Sequence, residues 1–123
     1  MPSILIIDDD DSLRDALRRT LHKEGYTIME ANEGGRGLKE FASSAADLIL
    51  LDMFMPDKDG IETIMELRRT HPGARVIAMS GGGFKGTVDV LHVAKKLGVR
   101  QTLSKPFTRE QLLEAVSEEL LPH

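Results

Sequence analysis

Short apolar segments alternate with longer segments of mixed polarity along the 123 residues of the chain. Three of the short segments, Ile4–Ile7, Leu48–Leu51 and Arg75–Met79, have almost no polar interruption, whereas Thr27–Ala31 and Gln101–Ser104 are less apolar. Continuous apolarity over four or five residues favours a strand that is covered on both faces, as in a parallel sheet. We therefore predict five strands, of which the last has the weakest signal.

The longer segments carry apolar residues at helical spacing. The clearest stripes belong to the first, third and last helices: Leu13, Leu17 and Leu21; Ile61, Ile64, Met65 and Leu67; and Leu112, Leu113, Val116 and Leu120. Asp11 or Ser12 is suited to cap the first helix, and Gly25 lies where that helix should stop. Thr108 with Gln111 predicts a capping box for the last helix.

Five strand–helix units in sequence imply a parallel sheet with helices on both faces and right-handed crossovers. The rival fold is an all-helical bundle, which would need helical periodicity in Ile4–Ile7 and Leu48–Leu51. Both segments are too short for that, so the sequence favours the α/β class.

Composition and charge narrow the classes of function. Sixteen Lys and Arg against 20 Asp and Glu give a net charge of −4, which argues against a protein that coats nucleic acid. The chain has no Cys, so thiol catalysis and Cys-based zinc sites are excluded. No segment has the length of a membrane span and no secretory signal is visible, so we expect a cytoplasmic protein. The four His residues have no ligand spacing and are expected to face solvent.

Polar residues follow the predicted strands at the points where each strand ends. Asp8–Asp11 comes after the first strand, Asp52 after the third, Ser80 after the fourth and Lys105 after the fifth. Ligands of open α/β sheets bind beyond the carboxyl ends of the strands. If strands one, three, four and five are neighbours, these residues converge on one rim.

Several carboxylates at one rim favour the binding of a cation, and the cation can in turn hold a phosphoryl group. Two like charges 4 Å apart cost about 4 kcal/mol at an effective dielectric of 20, and a hard divalent cation such as Mg²⁺ relieves that repulsion. A nearby ammonium and a hydroxyl would hold further phosphoryl oxygens. One carboxylate, oriented in this way, can attack phosphorus and become an acyl phosphate.

Each residue taken alone has a structural explanation as well. The acidic run Asp8–Asp11 is also favoured by the dipole of the following helix, and for Asp10 and Asp11 we prefer that interpretation. Asp52 could cap a strand, and Lys105 could be a solvated surface charge. The functional interpretation depends on the joint occurrence of these residues, each at a strand end.

With these residues in place, the sequence resembles the response-regulator receiver domain of two-component signalling. The matching segments cover nearly the whole chain and read ILIIDDD at 4–10, LILLDMFMPDKDG at 48–60, VIAMSG at 76–81 and SKPF at 104–107. The resemblance implies a flavodoxin-like, doubly wound, five-stranded parallel sheet of order 2-1-3-4-5, with five helices on its two faces. It also implies one receiver domain over residues 1–123, without an output domain in this chain.

The resemblance assigns a Mg²⁺ site to the acidic residues. Asp9 is expected to be a direct ligand and Asp8 to act largely through water. Asp52 and the backbone carbonyl of Phe54 complete the implied ligand set.

The resemblance also assigns a phosphoryl site. Asp52 is the expected phosphoacceptor, Ser80 the residue whose hydroxyl meets the phosphoryl group, and Lys105 the cation that pairs with it. The Lys105–Pro106 bond is similar to one that is cis in the family. The implied donor is a phosphohistidine on a sensor histidine kinase or a histidine phosphotransfer protein, and no nucleic acid or membrane partner is expected.

Two features depart from the family pattern. Thr102 stands three residues before Lys105, where the family usually carries a Tyr or Phe that swings inward on activation. Three glycines follow Ser80, so that the loop 81–86 is unusually free in backbone conformation. We hypothesise that this loop, rather than an aromatic ring, carries the signal by ordering when the phosphoryl group arrives.

The fourth helix is richer in apolar residues than one buried face requires: Val88, Val90, Leu91, Val93, Ala94 and Leu97. Deeper burial of the helix is one explanation. The other is a surface for a downstream protein on helix four, strand five and helix five, which receiver domains commonly use.

The rival function is a small Mg²⁺-dependent phosphatase of the haloacid-dehalogenase type. That family needs a second Asp two residues after its aspartyl nucleophile, as the acid and base. Phe54 occupies that position, so we expect no enzymatic turnover beyond slow self-dephosphorylation.

Overall fold

A computed structural model of the protein describes residues 2–54, 59–81 and 87–122, without the side chains of 87–89. Strands and helices alternate over this part of the chain. The elements in order are β1 Ser3–Ile7, α1 Asp11–Lys23, β2 Thr27–Ala31, α2 Gly34–Ser44, β3 Leu48–Asp52, α3 Gly60–Thr70, β4 Val76–Gly81, α4 Thr87–Lys96, β5 Gln101–Lys105 and α5 Arg109–Leu120. All five predicted strands are confirmed, and β3, β4 and β5 each extend beyond the predicted last residue.

The five strands form one parallel sheet of order β2-β1-β3-β4-β5, as predicted. The chain order reverses between β1 and β3, which is the switch point where doubly wound folds bind ligands. Because β1, β3, β4 and β5 are successive neighbours, their carboxyl ends lie along one rim. The residues that follow them are therefore brought together.

Two apolar layers cover the sheet, which explains why the strands are continuously apolar rather than alternating. In β1, Leu5 and Ile7 pack against α2, α3 and α4. Ile4 and Ile6 face the other side and pack against α1 and α5. All four are buried, and this two-sided core fixes the register of the central strands.

Helix ends agree with the sequence in two of three cases. Gly25, with φ of +96°, follows the end of α1, and Thr108 with Gln111 forms the predicted capping box of α5. The predicted cap of α1 is wrong by one or two residues, because Asp10 rather than Asp11 or Ser12 adopts the extended cap conformation. Its carboxylate accepts a hydrogen bond from the Leu13 amide at 3.1 Å.

Burial explains part of the apolar content of the described side chains of α4 and of Leu97, which follows it. Ala94 is fully enclosed, and Val90, Leu91 and Leu97 pack against the core, whereas Val93 is 40% exposed. The side chain of Val88 and residues 82–86 of the glycine-rich loop lie outside the described residues. The hypothesis about that loop therefore stays a prediction.

The expectation that His residues face solvent is wrong for one of them. His22 and His92 are exposed, but His71 is half-buried and meets the ring of Phe41 edge-on, with centroids 5.0 Å apart. His123 lies outside the described residues. Among the helices that the structure describes, none combines the length and the apolarity needed to cross a bilayer.

Candidate functional site

Five polar residues lie at or near the carboxyl ends of the strands. Asp8 directly follows β1, Asp52 ends β3, Ser80 lies near the end of β4 and Lys105 ends β5, while Asp9 begins the turn into α1. Asp8 and Ser80 are fully buried, Asp52 is 5% exposed and Asp9 is exposed. Three of these residues are therefore buried, and Asp9 is the acidic residue that is accessible to solvent.

Three carboxylates form the acidic part of the site. One oxygen each of Asp8, Asp9 and Asp52 lies within 4.8 Å of the other two. Oxygen-only donors at this spacing suit a hard divalent cation, and Mg²⁺ typically takes one or two carboxylates and keeps several waters. The donor set and the exposed mouth at Asp9 therefore fit a magnesium ion.

Lys105 bridges the two buried carboxylates. Its Nζ atom lies 3.2 Å from Oδ2 of Asp8 and 3.6 Å from Oδ1 of Asp52. The peptide bond between Lys105 and Pro106 is cis, as the resemblance implied. One cation against three carboxylates leaves the site with a surplus of negative charge.

Burial, together with the negative charges of Asp8 and Asp9, raises the pKa of the Asp52 carboxyl from 3.8 to about 6. The Lys105 ammonium and the Phe54 backbone amide, which donates to Oδ1 of Asp52 at 3.2 Å, act in the opposite direction. Burial and like charge outweigh both. A carboxylate of this kind is more basic than one in water, and a bound cation would favour its ionised form.

The Ser80 hydroxyl is buried at the end of β4. Its Oγ accepts and donates no hydrogen bond within the part of the chain that the structure describes. Ser80 lies one residue beyond Met79, the register partner of Asp52, and opposite Ser104 of β5. Buried hydroxyls normally have a hydrogen-bond partner, and the chemistry of this one fits a contact with an oxygen of a bound group.

The predicted role of Phe54 concerns its backbone carbonyl, and that role stays a prediction. The ring of Phe54 is 49% exposed, and its amide contacts Asp52 as described above. Residues 55–58, which complete the motif after Asp52, lie outside the described residues. Thr102, which replaces the usual aromatic residue, is half-buried in β5 opposite Ala78.

Sequence reasoning missed Arg14, which contacts the backbone of the acidic loop. Its Nη1 atom donates to the carbonyl oxygen of Asp8 at 2.7 Å. The available signal was its position on α1, one turn beyond the acidic run and next to the buried stripe that contains Leu17. Because α1 carries many charged residues, its sequence does not show which Arg contacts the acidic loop.

Comparison with known proteins identifies the family. The profile of the response regulator receiver domain matches residues 4–117. Sporulation initiation phosphotransferase F of Bacillus subtilis (strain 168) is 34% identical over 117 residues, which cover 95% of this chain and 92% of that protein. The transcriptional regulatory protein CpxR of Escherichia coli (strain K12) is 33% identical over 116 residues, covering 94% of this chain but only 48% of that protein. The chain thus spans nearly all of the first relative and about half of the second.

Solved structures agree with the sequence relatives. A response regulator receiver domain protein from Clostridium thermocellum superimposes with a TM-score of 0.90 at 27% identity, over 98% of this chain and 94% of that one. The Vibrio cholerae chemotaxis protein CheY4 gives a TM-score of 0.87 at 25% identity, over 98% and 99% of the two chains. The sheet order and the profile match lead to one conclusion: the chain belongs to the family of response regulator receiver domains, the signalling modules of two-component systems.

Proposed function

We propose that the chain accepts a phosphoryl group on Asp52 from a phosphohistidine of a histidine kinase or histidine phosphotransfer protein. The observation that carries the proposal is the position of the Lys105 ammonium, 3.2 Å from Asp8 and 3.6 Å from Asp52. A cation held between two buried carboxylates at the end of a parallel sheet suits the binding of an incoming dianion. Response regulators work with histidine kinases, which supply such a donor.

The transfer exchanges one bond to phosphorus for another. An oxygen of the Asp52 carboxylate forms a bond to phosphorus while the bond from phosphorus to the donor imidazole nitrogen breaks. The imidazole leaves with the electron pair of that bond and takes up one proton from water, which gives neutral histidine. The product on this chain is an acyl phosphate.

Asp8, Asp9 and Asp52, with the Phe54 carbonyl, are the residues that would hold Mg²⁺. The bound ion supplies positive charge that offsets the carboxylates and a phosphoryl oxygen. Asp9 is the exposed member of the set and is suited to contact the ion directly, whereas buried Asp8 is already engaged by Lys105.

Lys105 and Ser80 bind the oxygens of the transferred group. The Lys105 Nζ atom exchanges part of its contact with the two carboxylates for a contact with a phosphoryl oxygen. The Ser80 hydroxyl, which has no hydrogen-bond partner among the described residues, donates to another oxygen. The phosphoryl group thereby gives the buried Ser80 hydroxyl a hydrogen-bond partner.

The chain acts as a signalling protein and not as a turnover enzyme. An exposed aromatic ring at Phe54 stands where a phosphatase of the rival class needs a carboxylic acid. Slow hydrolysis of the acyl phosphate is the only turnover expected. The signal is read through altered protein contacts, for which the α4–β5–α5 face with exposed Val93 is the candidate surface.

Mass spectrometry after incubation with acetyl phosphate and Mg²⁺ tests the proposal. We expect one phosphoryl adduct per chain, stable in acid and labile in base, and no adduct on Asp52→Asn. Asp47→Asn is the matched control, because Asp47 is an exposed Asp at the opposite end of β3 and should leave the adduct unchanged.

Two outcomes of these assays would contradict the proposal. The first is an adduct that persists in Asp52→Asn, which would place the acceptor elsewhere. The second is rapid multiple turnover of a phosphate ester in a steady-state assay, which would favour the phosphatase.

A further inference from the structure

Arg14 makes the contacts expected of a residue that holds the acidic loop in place. It lies in the first turns of α1, and its side chain is only 16% exposed. Nη1 donates to the carbonyl oxygen of Asp8 at 2.7 Å, Nη2 to Oδ1 of Asp11 at 2.6 Å and Nε to Oε1 of Glu30 at 3.0 Å. One planar guanidinium thus joins the loop after β1, the start of α1 and strand β2.

Among the described residues, each polar group of Asp8 has a hydrogen-bond partner, and Arg14 supplies the partner of its carbonyl oxygen. The Asp8 amide donates to the carbonyl of Ala31 at 3.1 Å, and Oδ1 of Asp8 accepts from the Asp10 amide at 2.9 Å. Its Oδ2 accepts from Lys105 at 3.2 Å. The carbonyl, which belongs to a fully buried residue, has Arg14 as its donor.

We infer that Arg14 is a positioning residue for the cation site, which rests on the function proposed above. The Asp8 carbonyl belongs to the peptide unit that leads directly into Asp9. A guanidinium that holds this peptide sets the direction in which the Asp9 carboxylate leaves the backbone. Arg14 therefore acts on Mg²⁺ affinity through the backbone of Asp8 and Asp9, without touching the ion.

Electrostatics alone predicts the opposite effect of an Arg14 substitution on Mg²⁺ affinity. Arg14 is a cation beside an acidic site, so removal of its charge should strengthen the binding of a divalent cation. Removal of its hydrogen bonds should weaken binding, because residues that orient metal ligands typically change affinity by about 10- to 100-fold. The sign of the change in the dissociation constant separates the two explanations.

The test is calorimetric titration of the full chain with Mg²⁺ alone. We expect Arg14→Met to raise the dissociation constant about tenfold. Arg14→Lys should raise it by a smaller factor, since an ammonium keeps the charge but cannot span the three acceptors. Arg19→Met is the matched control: Arg19 lies on the same helix, is 69% exposed and pairs only with Asp15 among the contacts of the described residues, so the same loss of charge should leave the constant unchanged or slightly lower.

A second readout needs no metal. In the metal-free protein, amide exchange at Asp10, whose N–H donates to Asp8, should accelerate in both Arg14 variants and not in Arg19→Met. This measurement applies even if the unsubstituted chain binds no Mg²⁺, a result that would refute the proposed function. If Arg14→Met does not fold, as judged by circular dichroism, Arg14→Lys decides.

The positioning role is overturned if the foldable Arg14 variants bind Mg²⁺ as tightly as Arg19→Met does. It is also overturned if their Asp10 amide exchanges at the unsubstituted rate. In either case, the adduct on Asp52 would still form, so the loss of this inference is distinguishable from the loss of the proposed function.

Discussion

Asp52 is ionised in surroundings that oppose its charge. The residue is 5% exposed and faces Asp8, and its pKa of about 6 in the folded chain exceeds the ordinary value of 3.8. The folded state therefore holds a proton on Asp52 more strongly than the unfolded state does. It follows that the free energy of unfolding falls as the pH rises from about 4 to about 6 and changes little from this source above that range.

Asp52→Asn should therefore stabilise the metal-free protein. Removal of the buried charge is expected to raise the free energy of unfolding at pH 7.5 by about 1–3 kcal/mol, since one pKa unit corresponds to about 1.4 kcal/mol. The gain should shrink towards pH 4.5, where Asp52 is protonated in the folded chain. Urea unfolding in the presence of a chelator at both pH values measures it.

Glu114→Gln controls for the general loss of a carboxylate, because Glu114 is exposed on α5. Its free energy of unfolding should match that of the unsubstituted chain at both pH values. A destabilised Asp52→Asn would mean that the contacts of Asp52 with Lys105 and the Phe54 amide outweigh burial and repulsion.

At the scale of elements, the close approach of α3 to the end of β3 depends on a glycine. A Cβ atom at Gly60 would lie 2.6 Å from the Cα atom of Met53, and the Gly60 amide donates to the Met53 carbonyl at 3.2 Å. Met53 directly follows Asp52. The start of α3 is thus packed against the backbone that carries the proposed phosphoacceptor.

Gly60→Ala should lower the free energy of unfolding by about 1–3 kcal/mol, because the obstructing atom is backbone and cannot turn away. Gly73→Ala is the matched control, since nothing lies within 4 Å of a Cβ atom at Gly73, and it should change stability by less than about 0.5 kcal/mol. Chemical denaturation of both variants measures the difference. Equal stabilities would show that β3 and α3 can separate without loss.

Strands and helices could be predicted from the sequence wherever the pattern of apolar residues determines them. Strands β1 and β3 are enclosed by two layers, so four apolar residues in succession identify them. The cap of α1 was misplaced because Asp11 and Ser12 are both favourable cap residues by type, whereas the extended backbone at Asp10, with φ −84° and ψ 105°, decides which residue caps the helix. His71 was misjudged because its contact with Phe41 joins residues 30 positions apart.

At the scale of the whole molecule, the convergence of the site follows from the order of the strands. Once β1, β3, β4 and β5 are neighbours, Asp8, Asp52, Ser80 and Lys105 must share a rim, and the family resemblance supplied that order. The sequence could not supply the bridge by Lys105 or the clamp by Arg14. Both depend on contacts with Asp8, which lies beyond the end of β1, and no periodic pattern predicts such contacts.

The surplus negative charge at the rim links Mg²⁺ to the stability of the entire fold. An ion that binds the folded chain alone stabilises it by about 2.7 kcal/mol at a concentration 100 times its dissociation constant. We expect Mg²⁺ to raise the thermal unfolding midpoint at pH 7.5, and to raise it less at pH 5, where protons compete for Asp52, whose pKa is about 6.

Asp9→Asn should lose most of this increase in the midpoint, because Asp9 supplies one of the three clustered carboxylates. Sodium chloride at equal ionic strength separates specific binding from screening of the net charge of −4. A midpoint that rises equally with sodium chloride, or equally in Asp9→Asn, would mean that the three carboxylates do not bind the ion as a site.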